Sequence, residues 1–150
     1  MHIKCQLQMN SEDCCKIMEE AGVKPTSIRI LVYKTISTLN NTFNLNDIET
    51  LLPSVDKSSI FRVLRTFHNN NLIHSIDDGS GSQKYCFCHK YGSCKTEDRH
   101  CHFYCETCKK TYCFENDLIP SIVIPNNFKV KEINYIIKGI CPECRKHHEQ

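Results

Sequence analysis

The stretch "DKSSIFRVLRTFHNNNLIHSIDDGSGSQKYCF", residues 56–87, changes its periodicity part-way along. Ile60, Val63, Leu64 and Phe67 recur at the three-and-four spacing of one helical stripe, and Asn69, Asn70 and Asn71 end the pattern. Two short strand-like runs then flank a turn rich in Gly, Asp and Ser, which is a hairpin signal. A helix therefore feeds directly into a hairpin.

Upstream lie three shorter helical patterns. "SEDCCKIMEEAG" (11–22) offers Ser11 as a cap, acids in its first turn and Gly22 at the position after the helix. "PTSIRILVYKTISTLN" (25–40) places Ile28, Leu31, Val32, Thr35, Ile36 and Leu39 on one stripe, with Pro25 in its first turn. "NLNDIETLL" (44–52) is a third helix, halted by Pro53. Three or four small helices followed by a hairpin describe a winged helix-turn-helix, with the hairpin as the wing.

The fourth helix carries a local charge bias in a nearly neutral chain of net charge +2. Between Asp56 and Asp77 there is no acidic residue, while Lys57, Arg62 and Arg65 fall there. Basic side chains near phosphates supply affinity by releasing counterions. Ser58, Ser59 and Arg62 lie early in the helix, where recognition-helix residues meet base edges. Phe61 is off the apolar stripe, and an exposed aromatic there can touch a thymine methyl or a sugar. A solvated helix face with ordinary basic residues is the plain alternative, and the winged-helix order weighs against it.

Hydrophobic residues make up 40% of the 150, which suits a folded, soluble chain. No apolar run approaches a membrane span. The N-terminal stretch lacks the apolar core of a secretory signal, so a cytoplasmic location is expected. Twelve cysteines then need an explanation other than a disulfide framework, which the reducing cytosol disfavours. Cys5, Cys14 and Cys15 receive no role. The rest lie at or beyond Cys86, close to histidines, where metal ligation is the better default. Composition divides the chain into a helical part, 1–88, a polar linker, 89–98, and a cysteine-rich part with short β-type runs, 99–150.

Cys105 and Cys108 form one CxxC pair, and Cys141 and Cys144 another. Two such pairs wrap a tetrahedral Zn²⁺, because each tight turn offers two thiolates to one ion. A thioredoxin-like redox motif would open a helix after a strand, and neither pair is expected to do so. Structural zinc is the most specific signal in the chain.

Other ligands surround "RHCHFYCETCKKTYCF" (99–114). Read as a strand, it puts His100 and His102 on one face, and Cys101, Phe103 and Cys105 on the other. If the CxxC is a hairpin turn with Cys105 opposite Lys109, Cys101 lies opposite Cys113. Those two would be partial ligands of another ion or a thiol pair. His100 and His102 need further ligands, from Cys86, Cys88, His89 and Cys94. Imidazole and thiolate together favour Zn²⁺ over Mg²⁺, Ca²⁺ or Mn²⁺. An ion joining wing, linker and second unit would fix one part of the chain against the other, a two-state element biased by ligand. No nucleophile–base pair or phosphate loop stands out, so an enzyme is not expected.

Over roughly residues 20–144 the chain resembles the ferric uptake regulator family. The resemblance rests on "TSIR" opening the second helix, "SSIFRVLRTF", "HCHFYCETCKKTYCF" and "KGICPEC". It implies an α+β fold: a winged-helix DNA-binding domain joined to a small α/β dimerisation domain with the four-cysteine zinc site. It also implies a homodimer that binds palindromic double-stranded operators and represses genes when loaded with metal. Lys57, Ser58, Ser59, Phe61, Arg62 and Arg65 would face DNA.

Departures from the family pattern bear on the metal. Phe61 stands where a tyrosine is usual. Cys86, Cys101 and Cys113 stand where the family has acidic residues, and two usual histidines are missing from "TFNLND" and "KEINYIIKG". Sulfur for oxygen at three places weakens iron or peroxide sensing. The zinc-uptake subgroup uses a sensor that resembles Cys94, His100 and His102, here with Cys86. A zinc-sensing repressor is therefore expected, with a second divalent ion, Zn²⁺ or else Fe²⁺, at that site. Iron- or thiol-redox sensing on the same fold is the alternative.

Overall fold

The structure is a computed structural model and describes residues 9–39, 41–87, 101–114, 119, 122–130 and 133–148. Among them the order is α1 (Ser11–Glu20), α2 (Ser27–Ser37), α3 (Leu45–Leu51), α4 (Lys57–Asn69), β1 (His74–Ile76), β2 (Lys84–Cys86), β3 (Cys101–Cys105), β4 (Thr111–Phe114), β5 (Tyr135–Gly139) and α5 (Pro142–His148).

Each of the first four helices begins on a side chain that satisfies an otherwise orphaned N–H. Asn10, rather than Ser11, caps α1 by accepting from the Asp13 N–H at 2.8 Å. Ser11 instead sits inside the helix and accepts from Lys34 Nζ at 2.7 Å. Gly22 takes φ +78° just past the end of α1, as the left-handed stop requires. Thr26 caps α2, so Pro25 precedes that helix and is not in its first turn. Asn44 and Asp47 form a reciprocal capping box on α3. Asp56 caps α4, and its carboxyl is held down to about 2 by hydrogen bonds from Ser58 and Ser59.

The four helices enclose one core. Ile60, Val63, Leu64 and Phe67 all point inward from α4, as their spacing requires. In α2 the buried set is Val32, Tyr33 and Ile36, whereas Ile28 and Leu31 are each 40% exposed. The buried stripe is thus rotated towards Tyr33, whose ring meets Phe67 and Phe87 edge-on at 5.8 and 5.2 Å. Each fully buried aromatic or aliphatic side chain contributes about 1.5–3 kcal/mol. The β1–β2 hairpin closes this core as a wing, with His74 opposite Cys86. Phe43 bridges to Tyr85, tying the chain before α3 to the wing.

The second unit is a mixed three-stranded sheet in the order β4-β3-β5. β3 runs antiparallel to β4 and parallel to β5. One face, carrying His102 and Tyr104, lies under the wing. Its buried members include His102 and Thr111. The opposite face carries Phe103, Phe114 and Ile137; the Phe103 and Phe114 rings stack at 6.1 Å, and Ile137 is 49% exposed. Between β4 and β5, Ile122, Val123 and Phe128 are exposed too. Among the described residues no helix is long and apolar enough to cross a membrane.

Candidate metal centres and candidate DNA-reading helix

The four CxxC sulfurs converge. The Cys105, Cys108, Cys141 and Cys144 ligand atoms all lie within 4.8 Å of one another. The parallel pairing of β3 with β5 puts Cys105 beside Gly139, and the Glu106 N–H donates to the Gly139 carbonyl at 2.8 Å. That register delivers Cys141, two residues later, against the first knuckle. The Cys141 N–H donates to Cys105 Sγ at 3.3 Å, and Cys108 Sγ is 3.8 Å from Cys141 Sγ.

The thiols are polarised for a cation. Burial pushes the Cys105 thiol up, but N–H donors of Cys108, Cys141 and Thr107 outweigh it and bring it down to about 6. The Tyr112 hydroxyl lowers Cys141, with help from the Cys144 N–H. Cys144 is pushed up to about 12 by its hydrogen bond to Cys141 and by burial. Four neighbouring thiols cannot all ionise on their own, whereas a doubly charged ion makes all four thiolates favourable. The donor set fits tetrahedral Zn²⁺. Contrary to the sequence expectation, Cys141-Pro-Glu-Cys144 does open a helix directly after a strand. The second CxxC lying against it is what separates this cluster from a lone redox dithiol.

A second cluster joins the two parts of the molecule. His74 and Cys86, opposite one another on the wing, and His102 on β3 bring three ligand atoms within 4.8 Å of one another. The His74 and His102 rings are 5.5 Å apart, and Nε2 of His102 is buried. Cys86 and His102 belong to the expected regulatory set. His74 does not: a lone histidine after a run of asparagines carries no spacing signal, and only its hairpin partner Cys86 hinted at it. The other expected ligands, Cys94 and His100, and the candidates Cys88 and His89, lie outside the described residues.

The β3–β4 register corrects the pairing expected for Cys101 and Cys113. Cys101 lies opposite Phe114, and Cys113 lies opposite His102. The knuckle is one residue longer than a tight hairpin. Lys109 takes φ 63° with its N–H on the Cys105 carbonyl, so Cys105 pairs with Lys110. A shift of one residue turns every β4 side chain to the other face. Cys113 therefore shares the His102 face, Cys101 lies on the opposite face, and the two are not a thiol pair. Among the described residues the cysteines form no disulfide.

Next to the His74 cluster, the wing meets the sheet through a buried polar network. Lys84 Nζ pairs with the Asp78 carboxylate at 2.6 Å and donates to the Lys109 carbonyl at 3.0 Å and to Thr111 Oγ1 at 3.2 Å. Thr111 Oγ1 donates to Asp78 at 2.8 Å, and so does the Ser80 N–H at 2.9 Å. Burial alone would raise the Asp78 carboxyl; the donors from Lys84, Ser80 and Thr111 overcome it and hold the group well below the usual carboxylate range. The Tyr104 ring lies 5.0 Å from the Lys84 ammonium.

On α4, Ser58, Phe61, Arg62 and Arg65 share the outward stripe, and Phe61 is 49% exposed. Asp56 organises its start: the Ser58 and Ser59 hydroxyls donate to its carboxylate at 2.6 and 2.8 Å. Arg62 donates to Ser59 Oγ at 3.3 Å. Lys57 is drawn back onto α3, to Asn46 at 2.7 Å and Glu49 at 3.2 Å.

The family model for the ferric uptake regulator family matches residues 20–138. The chain belongs to that family. Ferric uptake regulators are metal-responsive transcription regulators and not enzymes. One relative is the ferric uptake regulation protein of Campylobacter jejuni, 25% identical over an alignment of 139 positions that covers 86% of this chain and 84% of that protein. Among solved structures, a zinc uptake regulator complexed with zinc and DNA superposes with a TM-score of 0.67 at 16% identity, over 93% of this chain and 95% of that one. The Helicobacter pylori ferric uptake regulator, described as having three functional metal-binding sites, superposes at 0.59 and 15% identity, over 92% and 95%. At such identities the likeness carries the fold: an α+β regulator with an N-terminal winged helix and a C-terminal α/β domain.

Proposed function

We propose that this protein is a zinc-responsive repressor that binds palindromic double-stranded operators as a homodimer in the cytoplasm. The observation that carries the metal assignment is the His74–Cys86–His102 cluster: two imidazoles and a thiolate, with no carboxylate among its three members. Such a soft set suits Zn²⁺ and is poor for Mg²⁺ or Mn²⁺. Cys94 and His100 remain the sequence's candidates to complete it, and Cys113 stands opposite His102. Cys105, Cys108, Cys141 and Cys144 hold a second, structural Zn²⁺. We assign 1–88 to DNA reading, with His74 and Cys86 as its share of the sensing ligands, 89–98 to the linker, and 99–150 to the structural zinc, the other sensing ligands and dimerisation.

Two wing residues and one sheet residue supply the sensing ligands, so the ion favours one placement of α4 relative to the dimerisation unit. Phe61, Arg62 and Arg65 meet the DNA, with Lys57, Ser58 and Ser59 at the helix start. The apolar sheet face with Phe103, Phe114 and Ile137, of which Phe114 and Ile137 are exposed, is the surface for a second copy. Fe²⁺ in the same cluster is the competing reading. Metal analysis and a mobility-shift titration decide: two zinc ions per protomer, DNA binding that rises with Zn²⁺ and not with Fe²⁺, and loss of that response in His102→Ala. Binding that ignores Zn²⁺, or follows Fe²⁺ alone, sinks the assignment.

A further inference from the structure

We infer that Asp78, Lys84 and Thr111 form a metal-independent latch that holds the wing on the sheet and thereby sets the affinity of the His74–Cys86–His102 cluster for its ion. The clause about affinity rests on the sensing-site reading above; the latch itself rests on the polar network alone.

The network spans two parts of the chain. Asp78 and Lys84 belong to the wing, one in its turn and one on β2, two residues before Cys86. Thr111 opens β4, and Lys109 directly follows the Cys105–Cys108 knuckle, its N–H on the Cys105 carbonyl. All three Lys84 donors find acceptors: Asp78, Thr111 and the Lys109 carbonyl. The Asp78 side chain is fully shielded from solvent and Lys84 is 11% exposed. Removing one partner strands the other in a dry interface, which makes the network all-or-none. Nearby, Gly79 in the wing turn meets Lys138 of β5 so closely that a Cβ there would stand 2.8 Å from Nζ. Thr42, just before α3, ties the helical part to the same strand by donating to the Thr111 carbonyl at 3.2 Å.

Linkage gives the consequence. His74 and Cys86 move with the wing, while His102 stays with the sheet. Only the docked wing presents all three, so the apparent dissociation constant is the intrinsic one divided by the docked fraction. Lys84 and Asp78 are thus positioning residues for the ion without touching it. The Lys109 carbonyl extends the coupling to the four-cysteine knuckle: an intact knuckle presents the acceptor that Lys84 needs.

The test uses the full-length protein with its four-cysteine site zinc-loaded. Wild type, Lys84→Met, Asp78→Asn, Thr111→Val and Lys84→Arg are compared by two readouts. Hydrogen exchange of the wing amides is followed without added sensing metal, and Co²⁺ binding is titrated through its thiolate charge-transfer band. Lys84→Met and Asp78→Asn should speed exchange in residues 74–87 while α2 and α4 stay protected. They should weaken Co²⁺ by about tenfold, the value for a docked fraction falling to roughly one tenth. Lys84→Arg should recover most of both, and Thr111→Val should lie between. Unchanged wing exchange in Lys84→Met and Asp78→Asn overturns the latch. Faster exchange with unchanged Co²⁺ affinity overturns its control of the ion. If wild type takes up no Co²⁺ beyond the four-cysteine site, the sensing-site reading fails and the affinity claim with it, while exchange still decides the latch.

Discussion

Replacing His74 with alanine tests the residue that folding, and not spacing, placed at the proposed sensing cluster. His74 contributes one of three ligand atoms within 4.8 Å of one another. Four-ligand zinc sites in small domains are worth about 10–16 kcal/mol, so one ligand carries roughly 3 kcal/mol. That is about two orders of magnitude in affinity. His74 is only half-buried, so water can enter the vacated position and recover part of the loss. A weakening of about 30–100-fold is the expectation on that per-ligand scale. Because the side chain is already partly solvated, the fold should lose no more than about 1 kcal/mol. The assay is competition between protein and a zinc chelator, on protein whose four-cysteine site is saturated, with thermal unfolding as the control for the fold. His68→Ala is the matched comparison: His68 lies in the last turn of α4, is exposed, and its ring is 6.1 Å from that of Tyr85. An affinity for His74→Ala within about threefold of wild type, while Cys86→Ser falls by tenfold or more, would remove His74 from the site and refute the per-ligand reasoning.

Arg62→Ala should weaken operator binding by about 1–3 kcal/mol with thermal stability unchanged, and Arg65→Ala should flatten the salt dependence by about one unit of slope; equal affinities across salt would contradict both. Ile137→Asp puts a charge in the uncovered apolar sheet face, so light scattering should report monomers where wild type gives dimers, and a persistent dimer would move the interface elsewhere. For the four-cysteine cluster the folded Cys105 pKa, about 6, lies below that of an unfolded thiol. The thiolate contribution to stability is therefore fully present above the unfolded thiol value of about 8.5 and is lost as pH falls through the folded value. Zinc should stay bound at neutral pH and be released only in acid, below the metal-free thiol value, because protons compete with the ion for the thiolates; loss of the ion at neutral pH would contradict the assignment. Phe67→Ala, at a fully buried ring, should cost about 3–5 kcal/mol, read from denaturant unfolding.

Much of this molecule is local and therefore legible along the chain. The stripe Ile60, Val63, Leu64 and Phe67 marks α4 because a helix repeats every 3.6 residues wherever it sits. The Gly/Asp/Ser run from Asp77 to Ser82 marks the wing because few residues accept such a turn. The paired CxxC motifs mark the four-sulfur cluster because two tight turns leave the thiols few other arrangements. The caps were less legible: Asn10 and Ser11 are both good caps, and only the helix start distinguishes them.

What the sequence by itself determined is the four N-terminal helices, the hairpin after them and the two CxxC pairs, since each is a property of neighbouring residues. What the tertiary structure alone decided is which groups meet. It rotated α2 so that Tyr33, not Ile28 or Leu31, enters the core. It lengthened the Cys105–Lys109 turn by one residue, and that single residue moved Cys113 from the face of Cys101 to that of His102. It also laid the wing on the sheet, bringing His74 to His102 and Asp78 to Thr111 across long stretches of chain. Register and docking are settled by packing and by the pairing of buried polar groups between distant segments, and no local pattern encodes those.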